Sequence, residues 1–442
     1  MWWCVAVAWP AHNRERPTAA MKARADNFPV PPGWDALACE LWAAKRAHEA
    51  VTRAIVSAQR ANHKNPALTL QAAYYLFLMN DHRNGASILE KQLNVTPGHV
   101  GTILNLAVFY SRLGRWTESA DLCHRVLALE SQNAAALDGL TSSLYRLGRY
   151  DEASEAGTRA LEVKDRMCSK VAAMGWTLPK IAPHDFATRP GKRNVLAYSL
   201  WGAQPAYLRG ALQNLLRAPD LYPGWALRFH VDATVPSDFI ALIQRLGGEI
   251  VMHADAVSMR DKLCWRFQVA NDPRVGYFLV RDADAVIDQR EAQAVDAWLR
   301  SGRWFHAIRD WWTHTDLILA GMWGGVAGVL PNMTSMLAKY RSRDLETPNI
   351  DQWFLRDRIW AFVRRSCLVH DRCFRPPGAV PLPAPVAAGD RHIGQDEYAA
   401  RAPDQERFLR AWIEEYPCLG PLQFETATSS PALNTRPRSG DV

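Results

Sequence analysis

The spacing of apolar and polar residues changes its period near residue 190. Ahead of that point apolar residues recur at three- and four-residue steps. Over residues 35–61, for example, Leu37, Leu41, Ala44, Ala47, Val51, Ala54 and Ile55 mark one face of a single predicted helix. Beyond it, short apolar runs alternate with helical stretches. Residues 194–200, 225–231, 249–253, 277–280, 304–308, 317–321 and 367–369 read as strands, and 206–216, 238–246, 262–269, 289–301 and 351–365 as helices. Such alternation predicts an α/β domain with a mostly parallel, doubly wound sheet. Pro179, Pro183 and Pro190 break the stretch between the two regimes, which reads as a linker.

The helical half carries an internal repeat. Leu113-Gly114-Arg115-Trp116 returns 34 residues later as Leu147-Gly148-Arg149-Tyr150, each followed by an acidic residue (Glu118, Glu152) and a small one (Ser119, Ala153). Gly85 and Leu93 fall in step with an eroded earlier copy. This period, with small residues where paired helices meet, resembles the tetratricopeptide repeat over about residues 62–165. Stacked copies of such a unit share one core and usually present a surface to a polypeptide partner.

The 442 residues are enough for two or three domains. A net charge of +7, without a run of like charges, suits anionic small molecules better than nucleic acid. The eight cysteines show no Cys-x-x-Cys spacing and read as reduced thiols of a cytoplasmic protein. The apolar Met1 to Trp9 segment has no basic flank, no apolar run reaches membrane-spanning length, and Met21 offers an alternative start. The expected layout is a flexible segment 1–34, a repeat domain 35–175, a linker 176–193, an α/β domain 194–400 and a C-terminal segment 401–442, disordered from about 426.

The chemistry centres on Arg281-Asp282-Ala283-Asp284, directly after the apolar run 277–280. In an extended backbone two carboxylates at i and i+2 point to one side. At the carboxyl edge of an open α/β sheet they sit where such sheets bind ligands, and they can hold a divalent cation that neutralises a diphosphate. No Gly-x-Gly-x-x-Gly follows the first strand, which disfavours a dinucleotide fold.

Trp265-Arg266-Phe267, Arg281-Asp282-Ala283-Asp284, Arg290-Glu291, Phe305-His306-Ala307-Ile308-Arg309-Asp310, His314, Ala320-Gly321-Met322-Trp323-Gly324-Gly325, Asp351-Gln352 and Val369-His370-Asp371 follow in that order. Together they resemble bacterial glycosyltransferases of the GT-A fold with an Asp-x-Asp motif, some of which carry tetratricopeptide repeats in front. The resemblance spans about residues 194–374. It implies Mn²⁺ or Mg²⁺ held by Asp282, Asp284 and His370, and diphosphate contacts from Arg266 and Arg281. It further implies a sugar pocket shaped by Gly321, Trp323 and Gly324, and contacts to donor sugar or acceptor from Asp310, His314 and Asp351. Asp351 is the candidate base of an inverting reaction, and a UDP-sugar the expected donor. The acceptor would be a glycan, a protein or a lipid-linked molecule. Two rival readings use the same residues: a repeat-based interaction module with a degenerate α/β domain, and a metal-dependent phosphoryl-transfer or hydrolytic enzyme. The absence of a Walker-type loop and of a nucleophile motif argues against the latter.

Overall fold

In the computed structural model, residues 30–169, 175–254, 258–340, 349–383, 391–395 and 414 are described. The expected disordered tail and most of the segments 1–34 and 401–442 lie outside them. Eight helices form four antiparallel hairpins: α1 (Ala36–Ala43) with α2 (Ala47–Arg60), α3 (Pro66–Leu78) with α4 (His82–Val95), α5 (Val100–Arg112) with α6 (Trp116–Leu129), and α7 (Ala134–Arg146) with α8 (Tyr150–Cys168). Residues 35–61 are therefore a hairpin and not one helix, which adds a unit that the sequence repeat does not reveal.

The turn chemistry explains why. Each hairpin bends through a residue in the left-handed region: Lys45, Asn80, Gly114 and Gly148, with φ of 60°, 59°, 76° and 74°. Glycine suits that conformation and Asn tolerates it, whereas Lys45 leaves no glycine signal to read. Polar N-caps start several helices: the side chains of Asp35, Asn65, Asp81, His99 and Asn133 accept backbone N–H groups of their own first turns. Small residues then let the helices close. A Cβ at Gly85 would run into the Phe109 ring, and Ser143 Oγ donates to Ser119 Oγ (3.0 Å), which donates to the Ala107 carbonyl (2.8 Å).

After a short helix α9 (Pro183–Ala187), an eight-stranded sheet forms in the order β3-β2-β1-β4-β6-β5-β7-β8. Its strands are β1 (Arg193–Leu200), β2 (Trp225–Val231), β3 (Glu249–Met252), β4 (Val275–Arg281), β5 (Phe305–Arg309), β6 (Met322–Val326), β7 (Cys367–Asp371) and β8 (Ala379–Val380). Helices α10 (Pro205–Leu221), α11 (Ser237–Arg245), α12 (Met259–Cys264), α13 (Gln289–Arg300), α14 (Met333–Lys339), α15 (Ile350–Phe354) and α16 (Trp360–Val363) connect them. Strand β6 runs antiparallel to β4 and β5, and the remaining pairings are parallel. The protein is thus an array of helical repeats followed by a mixed, mostly parallel α/β sheet. Among the described residues no helix is long and apolar enough to cross a membrane.

Three local expectations are corrected. The strand expected at 317–321 is displaced five residues along the chain, to β6. The run of residues 317–320 is buried irregular chain, and Gly324 and Gly325 lie inside the strand. The predicted helix 262–269 divides into α12 and a 3₁₀ segment, Trp265–Asn271. The predicted helix 351–365 is α15, a π turn at Leu355–Ile359, then α16.

The repeats and the sheet share a packed seam. Leu161 and Cys168 of α8 belong to the sheet domain's core, while Trp311 and Trp312 pack against the repeat core. Trp312 stacks on Tyr145 and Tyr150 (centroids 5.7 and 5.5 Å). A Cβ at Gly157 would meet the Phe374 ring, and Asp165 receives Trp360 Nε1 (2.6 Å) and Arg364 (2.8 Å).

Candidate active site at the carboxyl edge of the sheet

Strand β1 lies between β2 and β4, so successive connections leave it in opposite directions. Ligands of open α/β sheets sit outside the carboxyl ends of the strands at such a reversal. The Asp-x-Asp segment falls there, immediately after β4. It is a tight turn and not an extended pair: the Ala285 N–H donates to the Asp282 carbonyl (3.3 Å). Helix α10 holds this turn from behind. Asn214 donates to the Ala285 carbonyl (2.9 Å) and accepts from the Ile287 N–H (2.9 Å). Gly210 admits the chain at the same place, since a Cβ there would strike the Ala283 carbonyl oxygen.

Asp282 keeps 43% of its side chain exposed, and its carboxylate lies against the Cα of Gly321, where any Cβ would collide with it. Gly321 thus abuts the Asp-x-Asp turn by backbone proximity. Asp284 is half-buried two residues on.

Behind Asp282 stands Arg266, almost fully buried. Its guanidinium pairs with Asp282 through Nη1, donates to the Arg281 carbonyl (2.9 Å) and pairs with Asp351 through Nη2 (3.1 Å). Burial alone would loosen the Arg266 proton; the two carboxylates outweigh it and hold its pKa above the ordinary value. Asp351 lies in the first turn of α15 and accepts the Gln352 N–H (2.8 Å). Burial pushes its carboxyl up to about 6, against the pull of Arg266 and with the push of Asp282. One guanidinium therefore clamps an open carboxylate and a buried one of raised pKa.

The other expected residues go elsewhere. Arg281, next to Asp282 on the strand, points to the opposite face. It pairs there with buried Glu291 (2.6 Å), which also accepts Tyr222 OH (2.8 Å), so it is not brought to the Asp-x-Asp turn. Trp323 is fully buried on β6 between Phe267 and Phe278, and offers no stacking face. Gly324 lies in the middle of β6, where a Cβ would press on β4, so it shapes the sheet and not a pocket.

His370 sits inside β7 with its Nδ1 2.7 Å from Nε2 of buried His306, and burial lowers its pKa to about 4. Among the described residues no three His, Cys, Asp or Glu side chains gather around one point as a metal shell, so Asp282, Asp284 and His370 are not preassembled as one. Asp310 is a buried hub for Arg290 (2.8 Å), Arg372 (2.8 Å) and the Ile393 N–H (2.8 Å). His314 accepts the Asp310 N–H (3.0 Å), and burial, reinforced by His392, Arg372 and Arg309, keeps it neutral.

A second cluster at the same edge escaped the sequence reading. Asp232, the residue after β2, accepts Lys262 Nζ (2.5 Å) and the Thr234 N–H (3.1 Å), while Thr234 Oγ1 accepts the Gly202 N–H (2.7 Å) beyond β1. His253, after β3, stacks on Trp265 (4.4 Å, 8°). The usable signal was positional: Asp232 directly follows the predicted strand 225–231, and His253 is the last residue of the predicted strand 249–253.

The tetratricopeptide repeat family profile matches residues 99–166, the last two hairpins but for the end of α8. No curated protein sequence matches the chain. Among solved structures, MamA from Desulfovibrio magneticus RS-1 is similar at 15% identity and a TM-score of 0.27, covering 30% of this chain and 74% of that one. A tetratricopeptide repeat protein from Parabacteroides merdae is similar at 16% identity and 0.28, covering 33% and 59%. An O-GlcNAc transferase variant from Thermobaculum terrenum is similar at 14% identity and 0.36, covering 60% of this chain and 46% of that one.

Proposed function

We propose that the protein is a metal-dependent glycosyltransferase of the GT-A type, acting on a nucleotide-sugar with its repeats holding the acceptor or a protein partner. The observation that carries this reading is the clamp of Arg266 on Asp282 and Asp351 at the strand reversal.

The donor set fits a hard cation of the Mg²⁺ or Mn²⁺ kind. Such ions need only one or two protein carboxylates when substrate phosphates complete the shell, and Asp282 and Asp284 supply them in an open turn. Bound there, the ion would stabilise the negative charge of a departing nucleoside diphosphate. Arg266 fixes the Asp282 carboxylate and neutralises part of the local charge. Asp351, ionised above about pH 6, accepts a proton from an acceptor hydroxyl in an inverting reaction. Lys262 and Thr234, beside Asp232, offer hydrogen-bonding groups for the nucleoside end.

The test is titration calorimetry with UDP, GDP, ADP, CDP and TDP, with and without Mn²⁺, on wild type and Asp284→Asn. The expected result is metal-dependent binding of one nucleotide that disappears in the variant. A folded wild type that binds none of them overturns the reading and leaves the repeats as the working part.

A further inference from the structure

One buried charge network joins the last repeat helix to the Asp351 turn. Lys164 of α8 is buried and donates to both oxygens of Asp138 on α7 (2.9 and 2.8 Å) and to the Thr315 carbonyl (2.8 Å). It also pairs with Asp316 (3.2 Å). Residues 315 and 316 belong to the loop that follows β5. The other oxygen of Asp316 accepts Gln352 Nε2, and the Gln352 backbone N–H donates to Asp351 Oδ1. Burial alone would strip the Lys164 proton; Asp138 and Asp316 hold it in place.

The network is asymmetric. If Lys164 served only to cement the repeats, Asp138 of α7 would be its partner, and neither Thr315 nor Asp316 would be engaged. The pairing with Asp316 carries its charge across the seam to a carboxylate whose remaining oxygen is spent on the residue next to Asp351. That turn opens the helical run α15, whose five residues pass directly into a π turn, so Asp351 lies at the end of the run where the first backbone N–H groups have no helical partner.

We infer that Lys164 is a positioning residue for transfer: through Asp316 and Gln352 it sets the orientation in which Asp351 faces the Asp282 turn, so the site is incomplete without the last repeat. The inference rests on the glycosyltransferase reading and assigns that site a contribution from outside the α/β domain.

Lys164→Met cuts the link on the repeat side, and Gln352→Leu cuts it on the sheet side while leaving the Lys164–Asp138 pair whole. Lys164→Arg restores the charge. Full-length variants are compared for Mn²⁺-dependent affinity toward the nucleoside diphosphate panel, for hydrolysis of the corresponding nucleotide-sugars at saturation, and for hydrogen exchange of residues 349–354. The expected result for Lys164→Met and Gln352→Leu is nucleotide affinity within about threefold of wild type, turnover reduced roughly tenfold or more, and faster exchange in 349–354. Lys164→Arg is expected to recover most of the turnover.

Unchanged turnover in Gln352→Leu, with an active wild type, overturns the inference alone. So does a parallel loss of affinity, turnover and melting temperature, which marks a merely structural link. If the wild type binds no nucleoside diphosphate, the glycosyltransferase reading fails and the inference fails with it. Because Gln352→Leu leaves the interior of the repeats untouched, the test stands even if Lys164→Met does not fold.

Discussion

At the scale of single residues, the site is a conflict between burial and charge. Asp351 is held out of water next to another carboxylate, and one guanidinium compensates for only part of this. Its folded pKa of about 6 lies above the ordinary carboxylate value, so the folded state binds the proton more tightly than the unfolded chain does. The stability it contributes is full below the unfolded pKa and is lost as pH rises through 6. Asp351→Asn keeps an acceptor for Arg266 and removes the titration. The variant is expected to melt higher than wild type at pH 8, by an amount equivalent to on the order of 2–3 kcal/mol, and the advantage should disappear near pH 4. Its catalytic counterpart is a fall in wild-type turnover below about pH 6, absent from whatever residual activity the Asn variant keeps. Melting curves and rate profiles between pH 4 and 8 decide both. An Asn variant that melts lower at pH 8 would show that the Arg266 ion pair outweighs the burial.

Helix α10 and the turn after β4 form a unit at the scale of elements. Gly210 lets the two backbones touch, and Asn214 ties the turn down at Ala285 and Ile287. The obstacle to a side chain at 210 is a main-chain carbonyl that cannot rotate away. Gly210→Ala should therefore cost about 1–3 kcal/mol in chemical denaturation. It should also weaken Mn²⁺-dependent nucleotide binding more than it weakens folding, because the displaced atoms are those of Ala283, between the two carboxylates.

Most strands were legible at this scale because apolar runs bounded by turn residues define them; β2 and the predicted strand over 225–231 coincide. Strand β6 was displaced because residues 317–320 are more apolar than the true strand, whose two glycines read as loop. Trp323 and Gly324 were misassigned with it. The pairing of Arg266 with Asp351 was illegible, because the partners are 85 residues apart and neither local period encodes their meeting. Asp282 could be found because its signal is local: a carboxylate at the end of a strand. His370 reads as following a strand but lies inside β7, and its pairing with His306 depends on the parallel register of β5 and β7.

At the scale of the whole molecule, the described residues form two large cores that meet along one packed seam. Lys164, Asp165, Ser154 and Gly157 on α8 each meet the sheet domain, and Trp312 returns the contact. With so much of the interface buried and specific, the two parts should unfold together. Scanning calorimetry of the full chain is expected to give one transition with calorimetric and van't Hoff enthalpies in agreement. Two resolved transitions would show that the seam does not couple the cores.

The double membership of α8 also decides where this architecture is free to vary. Hairpins in a stacked array touch only their neighbours, so units ahead of α5 can be gained or lost without moving an atom near Asp282. The span of the repeat surface is thereby adjustable in whole 34-residue steps, while its junction with the sheet stays fixed.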